Sequence, residues 1–230
     1  MRVFAVVPAF QEAERLPSVL DRLRTQVDGV VVVDDGSADA TGQAAMGREG
    51  VWVVSHWINR GQGAALRTGT RAALELGADV IVHIDADGQH NPENIAHVIA
   101  PIVAQEADIV LGSRYLGVRP EGMPFVRRVL HSGIRQFNRW VLAIPARVSD
   151  PQSGFRALSA EAARSLAFHQ DRMAHASEIL RLVTRSSWRW KEVPIQVHYS
   201  IATLKKGQRS LDAIKVAWQL VLGMFHRSHV

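Results

Sequence analysis

The sequence predicts an α/β protein built on a doubly wound, mainly parallel sheet with helices on both faces. Three observations carry that expectation. Runs of β-branched and apolar residues recur at 3–7, 30–33, 51–54, 80–84 and 109–114, and they are apolar almost throughout rather than alternating, as in strands buried on both faces. Between them lie segments of crossover-helix length. Three of the runs end in polar, acidic loops, which in a parallel sheet gather at one edge, where such sheets bind ligands.

Taken in order, residues 3–7 form the first strand, broken by Pro8; so short an apolar run reads as a strand and not as a signal peptide. Leu16, Val19, Leu20 and Leu23 fall at helical spacing and place a helix over 12–26. The second strand, 30–33, leads into Asp34-Asp35-Gly36-Ser37, after which Asp39 and Thr41 offer N-cap chemistry for a short helix reaching Gly47. Strand 51–54 is followed by the glycine-rich turn 59–69 and a helix ending near Gly77. Strand 80–84 runs into Asp85-Ala86-Asp87-Gly88, a helix covers 92–103, and the fifth strand and its exit loop occupy 109–114. Further on, helices are expected at 123–143, 159–168 and 175–185, a late strand within 188–197, and a final amphipathic helix at 210–225.

A chain of 230 residues suits one substantial domain, with 1–115 as its ligand-binding half and 116–230 as a less regular half that carries the last helix. The absence of cysteine excludes disulfides, thiolate metal sites and cysteine nucleophiles. No stretch has the length needed to span a bilayer. The net charge of +5 is uneven, with arginines crowded between Arg114 and Arg147 and a second basic cluster from Lys205 to Arg227. Such clusters suit a phosphorylated substrate or an anionic lipid surface, and equally a solvated face. Nucleic acid is not expected as a partner, because no aromatic platform interleaves the basic residues and no DNA-binding motif is present.

Asp85 and Asp87 are two residues apart, so if strand geometry continued they would point the same way and share one hard cation, Mg²⁺ or Mn²⁺, whose remaining ligands would be waters and substrate phosphates. A solvated turn is the simpler alternative for so short a pattern. Carboxylates converging from three strand ends favour the cation, because like charges gather where something positive offsets them. The glycine segment lacks the dinucleotide-cofactor order, and no Walker-type phosphate loop is present.

Pro8-Ala9-Phe10-Gln11-Glu12, Asp34-Asp35-Gly36-Ser37-x-Asp39-x-Thr41, Asn59-x-Gly61-x-Gly63, Asp85-Ala86-Asp87-x-Gln89-His90-x-Pro92, Gly112-Ser113-Arg114 and Asp150-x-x-Ser153-Gly154-Phe155-Arg156 occur in the order and spacing of the family 2 glycosyltransferases. Within them the chain most resembles the dolichyl-phosphate mannosyltransferase and bacterial polyprenyl-phosphate glycosyltransferase group. The resemblance implies a GT-A fold and a metal-dependent, inverting transfer of sugar from a nucleoside-diphosphate sugar to a polyprenyl phosphate. It implies that Pro8, Phe10, Glu12, Val33 and Asp35 line the nucleotide pocket, that Asp85 and Ala86 contact the sugar nucleotide, and that Asp87 and Gln89 hold the metal. Arg114 and Lys206 match phosphate-contacting positions; the family arginine six residues before that lysine falls at Ser200, and Arg209 is the substitute candidate. Were the acceptor a hydroxyl, as in cell-surface glycan synthesis, Asp150 would be the candidate base. The implied location is the cytoplasmic face of a membrane, held peripherally or by a separate anchor protein. A non-catalytic, membrane-recruited binding module is the remaining alternative.

Overall fold

The computed structural model describes residues 1–116, 148–151 and 153–197, and every structural statement concerns these. The helices expected over 123–143 and 210–225 lie outside the described residues, as do Lys206 and Arg209.

Seven strands form one sheet: β1 (Val3–Ala9), β2 (Gly29–Asp34), β3 (Val51–Ser55), β4 (Val80–His83), β5 (Ile109–Ser113), β6 (Arg156–Ser159) and β7 (Trp190–Pro194), in the spatial order β3-β2-β1-β4-β6-β5-β7. The helices are α1 (Leu16–Leu23), α2 (Thr41–Ala45), α3 (Gln62–Glu75), α4 (Ile95–Val103), α5 (Ala160–Ser165) and α6 (His175–Arg185). All described pairings are parallel except those of β6, which runs antiparallel to β4 and β5. The doubly wound, mainly parallel sheet expected from the apolar runs is therefore present.

The lack of alternation in the strands has a visible cause. On β1, Val3, Ala5, Val7 and Ala9 point into one core with Leu16, Leu20 and Leu23 of α1 and Ile95 and Val98 of α4. Phe4 and Val6 point into a second core with Leu66 and Ala73 of α3 and Ile179 and Val183 of α6. Both faces are covered, so apolar residues dominate both. Phe4, Val6 and Val7 have no exposed surface, and burial of each such side chain contributes about 1.5–3 kcal/mol.

Two expectations need correction, and one strand was not expected at all. The helix placed over 12–26 is confined to Leu16–Leu23, because Glu12 to Arg15 form a turn, with Arg15 and Leu16 donating to the Glu12 carbonyl. Strand geometry ends at His83, before Asp85, and Gly88 at φ +73° closes a tight turn, so the alternation argument for Asp85 and Asp87 does not hold. The sequence also gave no sign of β6. Its four residues, Arg-Ala-Leu-Ser, are not β-branched and begin with a buried charge, yet they insert between β4 and β5.

Candidate active site

The carboxyl ends of β1, β2 and β4 open onto a cleft of about 460 Å³. Pro8, Phe10 and Glu12 line it from the loop after β1, Asp35 from β2, and Asp85, Ala86 and Asp87 from β4. Seven residues expected at the nucleotide and metal positions thus share one cavity. Asn59, Gly61, Gln62, Arg172 and Met173 complete its walls and were not anticipated as site residues.

The acidic motif after β2 positions the loop after β1. Thr41 Oγ accepts from the Glu12 amide at 2.9 Å, and Ser37 Oγ accepts from the amide of Gln11 at 3.0 Å, a residue held at φ +55°. Asp35 is buried and fully engaged: its carboxylate accepts from Arg60 N at 3.0 Å and Gly61 N at 2.7 Å, and pairs with His56 Nδ1 at 2.7 Å. These bonds fix the glycine-rich turn, whose Asn59, Gly61 and Gln62 also line the cleft. The Val33 side chain is wholly buried in the second core, so the lining of the cleft does not include it.

Asp85 accepts from Gln62 Nε2 at 2.7 Å, and His90 Nε2 stands 3.6 Å from its other oxygen. Burial raises its carboxyl, but the hydrogen bond and charge of His90, with the charges of His175 and Arg156, outweigh that and hold it below the ordinary carboxylate range. Arg156 is fully buried, donates to the Ser153 carbonyl at 3.0 Å, and leaves Nε and Nη1 without a hydrogen bond among the described residues. Burial lowers its guanidinium to about 10, and the charge of Asp85 opposes that fall. Asp87 is pushed the other way from Asp85: burial first, then the charges of Asp85 and Glu12, raise its carboxyl, although the Gln89 amide donates to it at 2.9 Å. Gln89 touches Asp87 through its backbone, and its side chain is not part of the lining.

These residues fit a divalent cation of the oxygen-loving kind. Burial and the neighbouring carboxylates Asp85 and Glu12 disfavour the charged form of Asp87, and a cation would relieve that. No group of three His, Asp or Glu side chains among the described residues could hold a metal unaided. Mg²⁺ and Mn²⁺ keep several waters and take other ligands from substrate phosphates.

Arg114 and Asp150 meet each other rather than the cleft. Arg114 Nε and Nη2 donate to the two Asp150 oxygens at 2.7 and 2.8 Å, and the Arg114 amide adds a third bond at 3.1 Å. Asp150 is buried, and Glu192 anchors its segment by accepting from the amides of Ser149 and Asp150. A carboxylate whose two oxygens both accept from one guanidinium is poorly placed to take a proton from an acceptor hydroxyl. His83, buried with Nε2 2.8 Å from Thr70 Oγ1, is a packed core histidine.

Residues 4–161 match the model of the family described as glycosyl transferase family 2. The chain is 31% identical over 240 residues to the UDP-N-acetylglucosamine–dolichyl-phosphate N-acetylglucosaminyltransferase of Methanococcus voltae, covering 96% of this chain and 95% of that protein. It is 35% identical over 173 residues to the undecaprenyl-phosphate mannosyltransferase of Micrococcus luteus, covering 72% of this chain and 70% of that one. Among solved structures, glucosyl-3-phosphoglycerate synthase of Mycobacterium tuberculosis, crystallised with Mn²⁺, UDP and phosphoglyceric acid, superposes with a TM-score of 0.75 at 22% identity, covering 100% of this chain and 79% of that chain. The fold is thus the GT-A fold.

Proposed function

The chain belongs to glycosyl transferase family 2 and is a glycosyltransferase, and from that premise we propose that it moves a sugar from a nucleoside-diphosphate sugar to a polyprenyl phosphate, with metal assistance and inversion. The observation that carries the donor half is the carboxylate cluster of Glu12, Asp85 and Asp87 lining the cleft, with Asp87 raised by burial and then by the charges of Asp85 and Glu12. Named relatives that transfer sugars to dolichyl and undecaprenyl phosphate support the acceptor half.

In this reading Pro8 and Phe10 form the wall against the nucleoside, while Asp35 keeps the glycine-rich turn in place. Asp87 and Asp85 would hold the metal, with Gln89 aiding Asp87. A bound Mg²⁺ or Mn²⁺ would supply stabilisation of the charge that builds on the leaving diphosphate. Lys206 and Arg209, beyond the described residues, are the proposed basic partners of that diphosphate. The acceptor phosphate oxygen forms its bond to the anomeric carbon as the bond to the donor phosphate breaks, and the nucleoside diphosphate departs with the electron pair. A lipid phosphate is already an anion, so attack needs positioning and no strong base. The bidentate hold of Arg114 on Asp150 favours this acceptor over a hydroxyl, for which a free carboxylate would be required.

No helix among the described residues is long and apolar enough to cross a membrane. For a lipid acceptor the proposed location is the cytoplasmic face of the membrane, held peripherally or by a separate anchor protein. Calorimetric titration of UDP, GDP and TDP with Mn²⁺ tests the donor site. Binding of one of them that is lost in Asp87→Ala is the expected result; absence of metal-dependent binding for all three contradicts the reading.

A further inference from the structure

The glycine-rich turn before α3 has the look of a phosphate cradle, but four of its amides are already spent. Those of Arg60 and Gly61 donate to Asp35, and those of Gly63 and Ala64 donate to the Asp171 carbonyl, Gly63 at 2.7 Å. What the glycines provide is room. A Cβ at Gly61, where φ is +110°, would stand 2.4 Å from the Asp171 carbonyl oxygen and 2.9 Å from Arg172 Cγ. One at Gly63 would stand 2.0 Å from the Gln170 carbonyl oxygen. Only glycine lets the 169–173 loop lie this close to the turn.

That loop is pinned on every side. Glu178 accepts from the amides of His169 and Gln170 at 2.9 and 2.7 Å, Arg67 pairs with the Asp171 carboxylate, and His175 N donates to the Arg172 carbonyl at 3.0 Å. The result is a fixed backbone that brings Arg172 to the cleft wall. Arg172 is the one cationic side chain among the described residues of that lining, against the carboxylates of Glu12, Asp35, Asp85 and Asp87. Arg67 and Arg114 are committed elsewhere, to Asp171 and Asp150.

We propose that Arg172 binds a phosphate oxyanion of the substrates, supplying to a cleft otherwise lined by carboxylates the positive charge that those four amides do not. The inference rests on the glycosyl-transfer reading above and adds to it a residue that none of the recognised motifs contains. A guanidinium on a rigid loop suits a phosphate by its planar set of donors.

The test measures Mn²⁺-dependent binding of UDP, GDP and TDP to the wild type, Arg172→Gln and Arg172→Lys, with the corresponding nucleosides as controls, and the KM for polyprenyl phosphate. Arg172 is exposed, so neither substitution disturbs the core, and equal melting temperatures check this. If the phosphate is the donor's, Arg172→Gln weakens binding of the nucleoside diphosphate about tenfold or more, leaves the nucleoside unaffected, and Arg172→Lys recovers part of the loss. If it is the acceptor's, the nucleotide affinity holds and the KM for polyprenyl phosphate rises by a similar factor. Unchanged values in both assays, with normal binding by the wild type, overturn the role of Arg172 alone. A wild type that binds no nucleoside diphosphate overturns the donor reading and this inference with it.

Discussion

Individual side chains divide the candidate site into groups that face substrate and groups that hold the frame. Asp87 belongs to the first kind and Asp150 to the second. Because Asp150 is buried against Arg114, Asp150→Asn should destabilise the protein by about 3 kcal/mol, through the guanidinium it leaves without its counter-charge. Denaturant unfolding checks this, and an unchanged midpoint would contradict it. On the same account, transfer to a lipid phosphate by the folded variant is only mildly reduced, whereas a base would be indispensable. Asp85, Asp87, Glu12 and Asp35 were legible in the sequence, because each lies at the end of an apolar strand run. The pairing of Arg114 with Asp150 was not, since the two are 36 residues apart and no local pattern relates them. Arg172 belongs to no motif; its only trace was the pair Gly61 and Gly63, whose spacing marks the approach of another backbone as readily as that of a phosphate.

Among the elements, the parallel strands and the helices between them follow from hydrophobic periodicity, and α6 lies over 175–185 as expected. β6 does not follow from periodicity, because its position between β4 and β5 is a tertiary fact: Ala157 and Leu158 are buried by the sheet they join. The 169–173 loop is likewise defined by what it meets. Glu178, on α6, accepts two of its amides, so Glu178→Ala should cost about 1–3 kcal/mol in stability. Amide hydrogen exchange should rise first at His169 and Gln170, ahead of the strands. Protection equal to the wild type at both amides would show that the carboxylate does not hold the loop. If the loop carries Arg172 to the substrate, the same variant should also weaken the phosphate-dependent part of binding.

For the molecule as a whole, two apolar cores enclose one sheet, and the polar groups buried in them make its stability depend on pH. His175 is 3% exposed, and burial, followed by the charge of Arg156, lowers its pKa from 6.5 to about 4, against the Arg172 carbonyl, Asp85 and Glu178, which pull it back. The folded protein thus keeps this ring neutral where the unfolded chain protonates it. Its contribution is nil above pH 6.5 and becomes a penalty as pH falls through that value towards 4, amounting to about 2 kcal/mol between pH 7 and 5. His175→Gln should accordingly show a shallower fall in melting temperature over that interval than the wild type; parallel curves would refute the assignment. The central claim concerns the whole enzyme and its two substrates. It is tested most directly by incubating the protein with Mn²⁺, labelled UDP-, GDP- and TDP-sugars in turn, and polyprenyl phosphate, then counting label extracted into the organic phase. Label carried into the lipid from one donor, abolished by a chelator and by Asp87→Ala, is the predicted result; no lipid-linked label from any donor, or transfer indifferent to both treatments, would contradict it.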